Sequence, residues 1–160
     1  GLALYQALQK PTVFDGVISI SAPFKFKGLS TQFVERLHAW NVFVTQLGMV
    51  RLAKKYARNH PDNPHINYHR CPIQGIVEVK ALMKNVYTSL SALKIPSLII
   101  QGKNDPKVDG QSGPLIFQRI NRLDSHYREI EFHLHGIIRG PIAQEVFQEV
   151  KTFLDTLYPS

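Results

Sequence analysis

Apolar residues fall along this chain in two kinds of pattern, short solid runs and longer stretches with a helical period. Gly16-Val17-Ile18-Ser19-Ile20-Ser21-Ala22-Pro23 is a compact apolar run closed by Gly and Pro, which predicts a buried parallel strand. Ile95-Pro96-Ser97-Leu98-Ile99-Ile100-Gln101-Gly102 predicts a second, and the stretch from Arg128 to His133 a third. Between them, Leu2, Ala3, Leu4, Ala7 and Leu8 share overlapping faces of a helix that Pro11 closes. Ile76, Val77, Val79, Leu82, Met83, Val86 and Leu90 mark a long helix over 73–93, and a shorter one is expected around 114–120. Gly140-Pro141 opens a last helix, with Ile142, Val146, Val150, Phe153, Leu154 and Leu157 along one side. Strands alternating with helices predict an α/β fold with a parallel sheet flanked by helices.

The pattern changes from about residue 24 to 71. Val34, Leu37, His38, Trp40, Val42, Phe43, Leu47 and Leu52 recur at helical spacing through a basic stretch that Asn59-His60-Pro61-Asp62-Asn63-Pro64 interrupts with turn chemistry. This predicts a helical insertion, leaving 72–160 as core. Eight cations (Lys25, Lys27, Arg36, Arg51, Lys54, Lys55, Arg58 and Arg70) face only Glu35 and Asp62 here, so the stretch carries +6 of the net +7. Such a surface can attract anions, or be the solvated side of an amphipathic cap. No motif or aromatic-basic interleaving points to nucleic acid.

With 160 residues, 44% hydrophobic and 19% charged, the chain suits one ordinary core. No run reaches the roughly 18 apolar residues of a membrane span, so no stable membrane insertion and a cytoplasmic location are expected. Cys71 has no partner for a disulfide and no metal-spaced neighbour. His60 and His65 flank a loop-like segment, and the seven histidines lack metal spacing, so no metal and no cofactor are expected.

The candidate chemistry sits at strand ends. Gly102-Lys103-Asn104-Asp105-Pro106 places an acid at the tip of one strand, and Ile130-Glu131-Phe132-His133-Leu134-His135-Gly136 places a histidine thirty residues on at the tip of the next. An acid followed by a histidine at neighbouring strand tips suits a carboxylate that orients an imidazole base. Strand alternation would point His133 the same way as His135, making it the local competitor.

These strings, from Pro96 to Val108 and from Val13 to Pro23, resemble the α/β-hydrolase superfamily. Within it they are most similar to the cytoplasmic carboxylesterase and monoacylglycerol-lipase-like branch. The resemblance covers the chain as the C-terminal part of that fold, beginning just after the nucleophile elbow, with residues about 24–71 as the lid. It implies Asp105 as the triad acid, His135 as the base and Gly1 as the final elbow glycine. It also implies Phe24, Phe26, Phe33, Trp40, Phe43 and Met49 as an apolar acyl-binding wall.

The nucleophile is absent from these 160 residues: no Gly-x-Ser-x-Gly occurs, Ser19 and Ser21 alternate on a buried strand, and Ser30 and Ser112 read as helix caps. The expected function is a serine hydrolase of carboxylic esters, in a fragment inactive alone because it lacks nucleophile and oxyanion donors. The alternatives are a non-catalytic half-fold that pairs with another chain, and an Asp-nucleophile dehalogenase or epoxide hydrolase of the same fold. A small-molecule ester is the expected partner, and a homo-oligomer or pairing with the missing N-terminal part is left open.

Overall fold

The computed structural model describes residues 1–27, 33–58 and 68–159. The chain divides into two compact units, one made of 1–25 and 83–160 and the other of 26–82. In the first, helix α1 (Leu2–Gln9) leads to strand β1 (Val17–Ile20). Strand β4 (Ser97–Gly102), helix α4 (Ser112–Ile120), strand β5 (Ser125–Ile130) and helix α5 (Ala143–Leu157) follow much later in the chain. The sheet order is β1-β4-β5, all parallel, with Val17 opposite Ser97 and Ser97 opposite Ser125.

Strand β4 is central and buried at all six positions, which is why its middle, Leu98-Ile99-Ile100, reads as an unbroken apolar run. One face of the sheet carries Leu98, Ile100 and Ile130, which join Val146 and Phe153 of α5 and Ile137 in a core cluster edged by Ile18, Ile20, Val150 and Leu157. Burying each such side chain contributes about 1.5–3 kcal/mol. Leu154, expected on this apolar side, is exposed instead. The other face receives α4, and there Gly113 sits so close to the sheet that a Cβ would lie 2.7 Å from Gln101 Cβ and 2.8 Å from Tyr127 Cε2. Ser97 and Ser125 satisfy each other by a 2.9 Å hydrogen bond on this face.

The third strand departs from the sequence reading. It spans Ser125–Ile130 and ends five positions before His135, not at His133. Only its two ends, Ser125 and Ile130, are buried, and His126, Arg128 and Glu129 are exposed as on a sheet edge, with no apolar run to mark it.

The second unit contains helix α2 (Val34–Gln46), a 3₁₀ turn at Val50–Leu52 and an antiparallel pair, β2 (Tyr56–Arg58) with β3 (Arg70–Pro72). It also holds the start of helix α3 (Ile73–Ser89). It is thus helical with a short hairpin. On α2, Val34 and Val44 are buried and Leu37, His38 and Asn41 half-buried, one continuous stripe of i, i+3 and i+4 spacing. The Asn41 side chain donates to the Lys54 carbonyl at 2.8 Å and accepts from the Lys54 N–H at 2.9 Å, which clamps the extended segment to the helix. Ser30, His60 and His65, with the turn at 59–64, lie outside the described residues.

Candidate functional site

The loop after β4 is stitched to the segment that follows β5. Lys103 N–H donates to the Ile130 carbonyl at 2.9 Å and Asn104 N–H to that of Phe132 at 3.2 Å. The side chains of Lys103 and Asn104 both reach Glu131, at 3.2 and 3.0 Å. The acid loop and the chain leading to His135 therefore leave the same C-terminal end of the sheet together. From there Ile137, 1% exposed, anchors the histidine loop in the core, and its N–H closes a tight turn onto the His135 carbonyl at 3.0 Å.

This framework brings Asp105 and His135 into contact. His135 Nδ1 lies 2.7 Å from Asp105 Oδ2. Asp105 Oδ1 accepts the backbone N–H groups of Lys107 at 2.7 Å and Val108 at 2.9 Å. The Asp105 side chain is fully buried, while that of His135 is 43% exposed. Burial pushes the Asp105 carboxyl up, but the hydrogen bonds from His135, Val108 and Lys107 and the charge of a protonated His135 outweigh it, so the pKa falls below its ordinary value. An ionised carboxylate can only accept, so Nδ1 carries the proton and Nε2 is the basic nitrogen of the neutral ring. The pair can take up a proton at Nε2 and stabilise the resulting imidazolium, which is the work of a general base.

His133 does not compete for this contact. It lies beyond the strand, where the alternation rule no longer applies, and its ring rests against Phe132 with centroids 5.3 Å apart.

The serines also find their places. Ser112 is not a cap: its hydroxyl accepts from the Lys25 N–H at 2.9 Å and donates to the Lys25 carbonyl at 3.2 Å. With the Asp109 N–H on the same carbonyl at 2.8 Å, this ties the chain leaving β1 to the acid loop. Ser19 and Ser21 are buried, and Ser21, just past β1, has a left-handed φ of 48°. Neither opens a helix. Gly1 caps α1 where a Cβ would meet Met83 Sδ at 2.9 Å.

Of the expected acyl-wall side chains, Phe24 stacks on Tyr87 at 4.0 Å within the first unit. Phe33, Trp40, Phe43 and Met49 are between 42% and 52% exposed. Among the described residues no His, Cys, Asp and Glu cluster is arranged to hold a metal ion, and no helix is long and apolar enough to cross a membrane.

Comparison with known proteins agrees with this architecture. The family model described as Serine aminopeptidase, S33 matches residues 1–141. No curated protein matches the chain in sequence. Among solved structures, one from the study of LipS and LipT, two metagenome-derived lipolytic enzymes, superposes with a TM-score of 0.77 at 19% identity, over 97% of this chain and 60% of that one. The monoacylglycerol lipase of Paleococcus ferrophilus gives 0.71 at 17% identity, over 98% and 64%. A soluble variant of the monoglyceride lipase of Saccharomyces cerevisiae, solved with a substrate analogue, gives 0.73 at 12%, over 99% and 59%. The chain thus spans about three fifths of the length of these structures. They share with it the α/β-hydrolase fold, the parallel sheet flanked by helices.

Proposed function

Since the chain belongs to the serine aminopeptidase, S33, family of α/β-hydrolases, we propose that Asp105 and His135 are the orienting acid and general base of a carboxylic-ester hydrolase. The nucleophile of that hydrolase is a serine carried on a segment preceding Gly1. The observation that carries this reading is the 2.7 Å contact between a buried carboxylate and a half-exposed imidazole beyond the C-terminal ends of two parallel strands. The lipases and esterases among the similar structures support an ester as substrate. Residues about 24–71 act in this reading as the lid.

In the reaction, His135 Nε2 takes the proton of the serine hydroxyl as its oxygen attacks the ester carbonyl. The same proton then passes to the leaving alcohol as the carbonyl–oxygen bond breaks and an acyl-serine forms. Water, deprotonated by the same nitrogen, releases the acid and regenerates the serine. Asp105 keeps Nδ1–H in place throughout and offsets the imidazolium charge. A nucleophile-bearing strand would pair with β1, which among the described residues has β4 as its one neighbour.

The test uses a fluorophosphonate probe and a p-nitrophenyl ester. The 160-residue chain is expected to react with neither. A form extended N-terminally through a Gly-x-Ser-x-Gly elbow should do both, and His135→Ala should then remove up to about 10⁶ of the turnover. Hydrolysis by the 160 residues alone, or an extended form indifferent to His135→Ala, refutes the assignment.

A further inference from the structure

Ser21 bears two costs that nothing in the described residues offsets. Its backbone is held at a left-handed φ of 48°, a region that crowds Cβ in every residue but Gly and that Asn or Asp would fill more readily. Its hydroxyl, in a residue only 6% exposed, has no hydrogen-bond partner among the described residues, so it gives up its hydration without return. The neighbours enforce the conformation: Ser21 N–H donates to the Ile100 carbonyl at 2.8 Å, and Ala22, next along, is buried. Over-determined strain of this kind gathers at working sites. Two more buried polar atoms lack partners among the described residues, Ser19 Oγ and Gln101 Oε1. Ser19 pairs with Ile99 in the register, so its side chain shares a face of the sheet with that of Gln101. The C-terminal ends of β1 and β4 are therefore where this sheet is short of hydrogen-bonding groups.

The topology says what lies beside them. Residues 10–16 join the end of α1 to Val17 through a turn that Val13 N–H closes on the Lys10 carbonyl at 3.1 Å, and this reverses the chain. The eight residues of α1 then rise about 12 Å back alongside β1, close to the roughly 13 Å that its four residues span. Gly1 therefore lies at the end of the sheet where β1 gives way to Ser21, the end from which the Asp105 loop also departs. A strand that enters α1 through Gly1 and lies parallel to β1 delivers its last turn to this point.

We infer that Ser21 is a positioning residue: its hydroxyl hydrogen-bonds the backbone of the turn that carries the nucleophile, just ahead of Gly1, and so holds the nucleophilic oxygen within reach of His135 Nε2. The inference rests on the assignment of Asp105 and His135 proposed above. A strand-to-helix turn this sharp leaves backbone N–H and C=O groups outside the sheet ladder, and a hydroxyl can accept from the one or donate to the other. The burial of the Ser21 hydroxyl then has its partner, and the left-handed backbone is what sets that hydroxyl in place.

The test sets Ser21→Gly beside Ser21→Ala. Gly removes the hydroxyl and relieves the strain, so in the 160-residue chain it should raise the thermal midpoint by about 2–4 °C. In the form extended through the elbow the gain should shrink, because a hydrogen bond is lost with the strain. There kcat should fall about tenfold to a hundredfold at unchanged KM, since a nucleophile displaced by a fraction of an ångström binds substrate as before but reacts more slowly. Ser21→Ala should lower kcat as much while keeping the strain, and so lower the midpoint as well. A faster-melting Ser21→Gly, an equal gain in both forms, or full turnover in the extended Ser21→Gly variant overturns the inference, as does a change confined to KM, which would place the hydroxyl on substrate instead. The His135→Ala variant separates the two readings. Turnover that needs His135 but ignores Ser21→Gly removes the positioning role and leaves the acid–base pair standing, whereas turnover indifferent to both removes the pair too.

Discussion

Asn104 donates its side-chain amide to Glu131 across 3.0 Å, and this joins the loop that bears Asp105 to the segment that leads to His135. The same carboxylate takes the Lys103 ammonium, and both bonds are exposed, so their worth to global stability is small, about 0–1 kcal/mol. Their effect should be local. Glu131→Ala is expected to leave the thermal midpoint almost unchanged while broadening the His135 ring resonances in an NMR spectrum. Sharp, unshifted resonances would mean that Ile137 and the backbone bonds alone fix the loop.

Acid stability should carry the signature of Asp105. Its folded carboxyl binds a proton less tightly than the unfolded one, so near and below the ordinary value of 3.8 the unfolded chain holds more protons. Stability therefore rises with pH through that window, is fully present above about pH 5, and is lost as pH falls through the folded pKa. Urea unfolding at pH 3 and pH 7 should differ less for Asp105→Asn than for the native chain. An equal gap in both would trace acid sensitivity to other carboxylates.

Tyr127 should ionise late. Burial, then the charge of Glu129 and its hydrogen bond at 3.3 Å, push the phenol up to about 12. Its contribution to stability is intact below the unfolded value near 10 and declines as pH rises toward 12. Absorbance titration at 295 nm should show a late step that Tyr127→Phe removes. That variant should also unfold less readily in alkali.

Gly113 should resist even the smallest enlargement. A Cβ there meets Gln101 Cβ and the Tyr127 ring below 3 Å, and Gln101 Cβ sits on the backbone of the central strand and cannot swing aside. Gly113→Ala gains about 1 kcal/mol of helix propensity but forces α4 off the sheet, an overpacking cost of about 1–3 kcal/mol. A net loss of denaturant stability is expected. A stabilised variant would mean that the helix slides freely.

Much of the fold could be read in advance where burial made the pattern simple. Burial of β4 leaves the apolar triplet Leu98-Ile99-Ile100 at its middle, and the acid beyond it follows from where the strand ends. The last helix was legible from its spacing, although Leu154 turned out to face solvent. The edge strand β5 lies earlier than the pattern suggests because four of its six residues, Ser125, His126, Arg128 and Glu129, are polar, and His133 therefore falls outside the strand. The hairpin in the second unit was missed because three-residue strands leave no measurable period. Ser112 read as a cap because it opens a helix, and only the fold brings Lys25 to its hydroxyl. The Asp105–His135 pair was legible as an order of residues, while the Glu131 bridge that joins their loops gave no sequence signal.

The register that sets Val17 against Ser97 has a consequence for how this chain can change. These neighbours in the sheet are separated in sequence by the whole second unit, so the intervening segment is, to the sheet, one long loop. Closing such a loop costs free energy that grows only with the logarithm of its length, about 0.6 kcal/mol for each doubling. Lengthening, trimming or replacing residues there therefore hardly taxes the stability of the sheet, and the surface they form is open to rapid divergence. The toll falls on speed instead: β1 must find β4 across that distance before the parallel pairing forms, which makes their meeting a natural slow step of folding.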